Sequence, residues 1–83
     1  MVDRFLRGDT PDAIEERDLV QRALGRMHPE ERAVLLLCGL EQVPYEQAAA
    51  ILGGSAAAIR KRFGRAKARF RLLYTELAEG SAL

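Results

Sequence analysis

The chain has one cysteine and one histidine among its 83 residues. A lone cysteine, Cys38, rules out an intrachain disulfide and makes a reducing compartment the simplest setting. One Cys and one His cannot close a structural metal site. Without a second histidine, no serine–histidine–acid set is available for a hydrolytic triad. No apolar run approaches the roughly 20 residues that span a bilayer, and the opening Met-Val-Asp-Arg-Phe-Leu-Arg lacks the apolar stretch of a signal peptide. The expectation is a cytoplasmic protein with no membrane contact, no metal and no cofactor. Gly53-Gly54-Ser55 lacks the spacing and the lysine of a phosphate-binding loop. Glu15-Glu16 and Glu30-Glu31 read as solvated helix faces, not paired catalytic carboxylates. No constellation supports an enzyme. β-branched residues are few and apolar and polar residues nowhere alternate, so strands are not expected.

What the chain does have is alanine, leucine, arginine and glutamate in helical patterns, which points to an all-α fold. Its length fits one domain with a small core, burying only about 60–65% of the extended surface. Residues 1–9 read as a tail or linker, 10–78 as the domain and 79–83 as a fraying end. Thr10-Pro11 opens a first helix, with Thr10 as cap and Pro11 in the first turn; it runs to about Arg26, with Ala13, Val20, Leu24 and Met27 on one stripe. His28-Pro29-Glu30-Glu31 opens a second. There Ala33 to Cys38 is apolar all round, as at the centre of a bundle, and Gly39 is expected to stop the helix. Pro44 opens a third, in which Tyr45, Ala48, Ala49 and Leu52 share a face and Ile51 lies beside them. Gly53-Gly54 ends it and Ser55 caps a fourth. That last helix runs to about Leu77, with Ile59, Phe63, Ala66, Phe70, Leu73 and Leu77 as a continuous apolar stripe.

Net charge is only +1, but its distribution is uneven. Every basic residue after Leu40 falls between Arg60 and Arg71: Arg60, Lys61, Arg62, Arg65, Lys67, Arg69 and Arg71. No acidic residue interrupts them. A solvated helix ordinarily mixes signs to gain i, i+4 pairs, so like charges packed together point to an outside partner, and DNA phosphates fit. A cationic face with no partner is the bland alternative.

The third and fourth helices, joined through Gly53-Gly54-Ser55, have the form of a helix-turn-helix. An ordinary helical hairpin is the alternative, and the basic helix weighs against it. In this arrangement Ala49 allows the helices close approach, Gly53 takes a left-handed conformation at the turn, and Ile59 locks the crossing. The N-terminal residues of a recognition helix meet base edges in the major groove; here they are Ser55, Ala56, Ala57, Ala58, Arg60 and Lys61. The alanines bring the backbone close, and Arg60 or Lys61 can pair with guanine O6 and N7. Arg62 and Arg65 suit flanking phosphates, with Lys67 continuing the basic helix. The backbone N–H groups from Tyr45 to Gln47 offer a further phosphate site.

These residues resemble region 4 of bacterial sigma factors, most closely the extracytoplasmic-function type. Met27-His28-Pro29-Glu30-Glu31-Arg32-Ala33-Val34-Leu35 is similar to that family's Leu-Pro-x-x-x-Arg-x-Val-Leu. Tyr45-Glu46-Gln47-Ala48-Ala49-Ala50-Ile51-Leu52-Gly53 is similar to its Tyr-x-Glu-Ile-Ala-x-Ile-Leu-Gly helix. Ile59-Arg60-Lys61-Arg62-Phe63-Gly64-Arg65-Ala66 is similar to its Val-Lys-x-Arg-Leu-x-Arg-Ala recognition helix. The resemblance spans Leu24 to Leu73. It implies binding of the −35 promoter element, docking on the β flap of RNA polymerase, and sequestration by an anti-sigma factor. It places Arg32, Arg62 and Arg65 on the DNA backbone, and Ser55 to Ala58 with Arg60 and Lys61 at or near the bases. The chain departs from the pattern at Ala58, where threonine is usual, at Gly54, where an apolar residue is usual, and at Gln47, which replaces a glutamate. Nothing corresponds to the family's N-terminal domain for the −10 element, so the expectation is an excised fragment or a reading module alone.

Two alternatives stay open: a DNA-binding output domain of the LuxR type, which shares the Glu-Arg-x-Val-Leu-like opening, and a protein-interaction module using the basic helix on an acidic surface. The basic continuation Lys67-Ala68-Arg69-Phe70-Arg71 favours the sigma reading over LuxR. His28 reads as a cap, Cys38 as core, and Phe63 and Phe70 as core rather than base-stacking residues. Leu36 and Leu72 fall off their stripes; scattered exposed leucines are ordinary, and a small apolar patch for a protein partner is the alternative reading of the two.

Overall fold

The computed structural model describes residues 13–81, which form four helices and no strand. The expected tail over 1–9 and the Thr10-Pro11 start lie outside the described residues. Helix α1 spans Ala13–Gly25. Two tight turns close it, with the N–H groups of Arg26 and Met27 donating to Ala23 and Leu24 carbonyls at 3.1 Å. Val20, Ala23 and Met27 are buried while Leu24 is half-buried, so the expected stripe is present from Val20 to Met27 and Ala23 joins it; the side chain of Ala13 lies outside those described.

His28 caps the next helix as expected. Its Nδ1 accepts from the Glu30 N–H at 3.4 Å, and its own N–H donates to Glu31 Oε1 at 3.3 Å. Pro29 follows in the first turn of α2, Pro29–Val34. Gly39 does not stop this helix. The chain continues as a π-helical segment, Leu35–Leu40, which ends only as Glu41 donates to the Leu36 carbonyl and Val43 to that of Leu37, each at 3.0 Å. A π turn holds an extra residue, so successive side chains drift round the axis. Val34 and Cys38 face the core, whereas Leu35 and Leu37 are half-buried and Leu36 is exposed. The segment is therefore not apolar-buried all round. Gly39 serves close packing: a Cβ there would stand 3.3 Å from Phe63 Cε1.

Helix α3 covers Tyr45–Leu52 with Pro44 at its N-cap, and α4 covers Ala56–Ser81. Helix α4 runs to Ser81, past the end expected near Leu77. Burial stabilises a fully enclosed Ile, Val or Leu side chain by about 1.5–3 kcal/mol. The stripe on α4 collects several such gains: Ile59, Ala66, Phe70, Leu73 and Leu77 are buried and Phe63 is half-buried. Tyr74, off that stripe, is buried too, its ring 6.0 Å from that of Phe70. Helix α4 is thus the axis on which α1, α2 and α3 pack. Cys38 is buried and free, as expected.

Candidate nucleic-acid interface

The turn between α3 and α4 is built on two glycines. Gly53 donates to the Ala49 carbonyl at 2.7 Å and then takes φ 91°, ψ 159°. This differs from the left-handed helical conformation expected of it; it is an extended positive-φ region open essentially to glycine alone. Gly54 follows at φ 92°. Together they reverse the chain, and Ser55 then caps α4: its Oγ accepts from the Ala58 N–H at 3.1 Å and its carbonyl from Ile59 at 2.9 Å. Ile59 is fully buried. The fully buried alanine of α3 is Ala48, not Ala49, which is half-buried. Ile51 and Leu52 are exposed, Ile51 at 64%.

This frame presents the N-terminal part of α4 to solvent. Ser55, Ala57, Arg60, Lys61, Arg62 and Arg65 are exposed, and Ala58 is half-buried beneath the turn. Helical geometry sorts the cations by their angle from Ile59, at about 100° per residue. Arg60, Lys67 and Arg71 fall at about 80–120°, on one flank of the outward face. Arg65, Arg69 and Arg62 fall at about 240–300°, on the other, with Lys61 between the two flanks at about 200°. Among the described residues, none of these cations has a carboxylate within ion-pair distance, whereas on α1 Arg22 pairs with Asp18 at 3.6 Å. The surface is cationic and uncompensated.

The remaining expected residues sit elsewhere. Arg32 is half-buried, and its Nη1 donates to the Leu24 carbonyl at 3.3 Å, where a cation also complements the C-terminal end of α1. Four further N–H groups of a guanidinium remain available in principle. Tyr45 is half-buried with its ring tilted against Phe63 at 6.3 Å, so its side chain packs inward. No side chain caps α3. Lys67 lies with its Nζ 4.6 Å from the Phe63 ring centroid, at the edge of an apolar groove of about 390 Å³. Leu24 from α1, Leu36 and Leu40 from the π segment, and Phe63 and Phe70 from α4 line that groove. Leu72 is exposed but lies outside it, so the alternative of a patch shared by Leu36 and Leu72 is not met, and Leu72 is an ordinary exposed leucine. The missed partner is Leu40, 53% exposed and one helical turn from Leu36, a spacing visible in the sequence.

Gly64 is a further feature of α4. It lies in the middle of α4, exposed, and a Cβ there would meet nothing within 4 Å. Glycine inside a helix costs about 1 kcal/mol against alanine, and packing within the domain does not account for it. The detectable signal is a glycine interrupting a strong helical pattern.

Neither the curated proteins nor the solved structures hold a match to this chain. The family model described as Sigma-70, region 4 matches residues 17–70, which takes in most of α1, all of α2 and α3, and the basic half of α4. The match agrees with an all-α helix-turn-helix in which an uncompensated cationic helix faces solvent. The chain belongs to the Sigma-70 region 4 family and carries the promoter-binding domain of a sigma factor, a non-enzymatic DNA-binding module that works with RNA polymerase.

Proposed function

We propose that the chain reads the −35 promoter element as the region 4 domain of an extracytoplasmic-function sigma factor. The observation that carries this reading is the run of unpaired cations on α4 beside an outward N-terminal face of small residues. An α-helix fits the major groove, and Ser55, Ala57 and Ala58 give it a low profile there. Arg60 and Lys61 meet base edges. Arg62 and Arg65 hold phosphates on the α3 side of the groove. The uncapped N–H groups at Tyr45 take another phosphate, by backbone and not by ring. Arg32 adds a phosphate contact with the N–H groups not committed to Leu24. Lys67 and Arg71 reach the opposite strand.

The apolar groove supports a second contact, with the β flap of RNA polymerase. It also favours a second reading for the same surface, capture by an anti-sigma factor. The working compartment in either case is the cytoplasm.

Fluorescence anisotropy with a labelled duplex tests the DNA reading. With four to six phosphates held, log K falls against log salt with a slope of about −4 to −5. A −35 duplex outcompetes a scrambled one. A steep slope without sequence preference would reduce the claim to non-specific affinity, and no binding at low salt would favour the protein-interaction reading.

A further inference from the structure

Resting on the DNA reading above, we propose that Gly64 is a positioning residue of the interface: its missing side chain lets the backbone of α4 seat against the duplex. Three observations lead there. Gly64 is about 140° round the helix from the buried Ile59, so it sits near the middle of the outward face. Arg60 and Lys61 lie one turn before it and Lys67 one turn after, so the bare backbone is set among exposed cations without carboxylate partners. Apart from its chain neighbours and the backbone of its own helix turns, nothing comes within 4 Å of where its Cβ would be, so the glycine is not kept for packing against the rest of the domain. It stands about 12 Å along the axis from Ala56, and the major groove is about 8.5 Å deep. A helix entering by its N-terminus therefore brings Gly64 level with the phosphates at the rim of the groove, where one methyl group holds the strand away from the cations around it.

The inference makes stability and binding move in opposite directions, which an ordinary surface glycine does not. Gly64→Ala is expected to raise the melting temperature by about 4–8 °C, as restored helix propensity does in a domain of this size. The same variant is expected to lose duplex affinity by about fivefold or more, the size of one good groove contact. Gly64→Leu loses more. Gly80→Ala is the control: that glycine is also helical, exposed and free of neighbours, but lies beyond the basic segment, so its duplex affinity stays within about twofold of wild type. The measurements are thermal melting and anisotropy on the full chain with a labelled promoter duplex at one salt concentration. If the wild type binds and Gly64→Ala binds as tightly while melting higher, this inference is overturned and the DNA reading stands. If the wild type has no duplex affinity, both fall.

Discussion

Lys67 holds its ammonium 4.6 Å from the centre of the Phe63 ring, one turn back on the same helix. The contact draws the cation toward the groove that Leu36 and Leu40 share with Phe63. Phosphate binding by Lys67 therefore competes with a contact worth about 0.5–1 kcal/mol at an exposed site. Arg65, exposed on the other flank, has no such tie. Lys67→Ala is expected to flatten the salt dependence of duplex binding by less than Arg65→Ala, which lowers the slope by about 1. Equal losses would show that Lys67 leaves the ring whenever DNA is bound.

Ile59 of α4 and Ala48 of α3 are both fully buried in the one core where the two helices meet. Ile59→Ala removes a fully buried side chain and is expected to destabilise the domain by about 2–5 kcal/mol. In so small a domain that abolishes duplex binding through unfolding. Ile51→Ser, at 64% exposure, is expected to change stability by no more than about 0.5 kcal/mol. Urea titrations of the two variants read the contrast directly.

Ser55 has both a structural and an interfacial position, and two substitutions separate them. Ser55→Ala loses the bond to the Ala58 N–H and is expected to lower stability by about 1 kcal/mol. Ser55→Asp keeps an acceptor there and favours the positive helix end, so its melting temperature stays at or above wild type. Its carboxylate nevertheless faces DNA phosphates, and duplex affinity falls. If Ser55→Asp bound as well as wild type, the start of α4 would lie outside the interface.

Burial raises the Cys38 thiol above its ordinary pKa of 9.0. The native chain therefore resists thiol reagents at pH 8 and reacts readily once unfolded in urea. The linkage has a definite sign. With the folded pKa raised, the unfolded chain ionises first, so this contribution to stability is complete below pH 9.0 and is lost as pH rises through the folded value. A Cys38→Ala variant, less stable at neutral pH for loss of packing, shows a shallower decline on the alkaline side. Fast labelling of native protein at pH 8 would contradict this placement.

Much of this architecture is legible in the sequence because it depends on periodicity and local chemistry. The stripe from Ile59 to Leu77 repeats at helical spacing, and Ser55 carries its capping oxygen with it. Other features depend on partners far along the chain. Gly39 looks like a helix stop, but the nearby ring of Phe63 gives it a packing role inside a π segment. Tyr74 is a half-polar residue off the main stripe of α4, and its burial follows from the core packed around that helix. The cationic run from Arg60 to Arg71 is plain in one dimension, whereas its division into two flanks, with Lys67 over a groove, emerges only when α4 is wound against the rest. Exposure of Ile51 and burial of Ala48 follow the angle at which α3 meets α4, which no local pattern specifies.

The central claim, that the start of α4 reads promoter bases, is tested most directly by a matrix of duplexes. Each carries a single base-pair change in the −35 element, and each is titrated with wild type, Arg60→Ala and Lys61→Ala at fixed salt. Direct reading predicts that wild type loses about 1–3 kcal/mol at particular positions. It further predicts that one variant is indifferent to the base at one of those positions while keeping its preferences elsewhere. Uniform weakening across the matrix, with every wild-type preference intact, would assign both side chains to phosphates and contradict base reading by this helix.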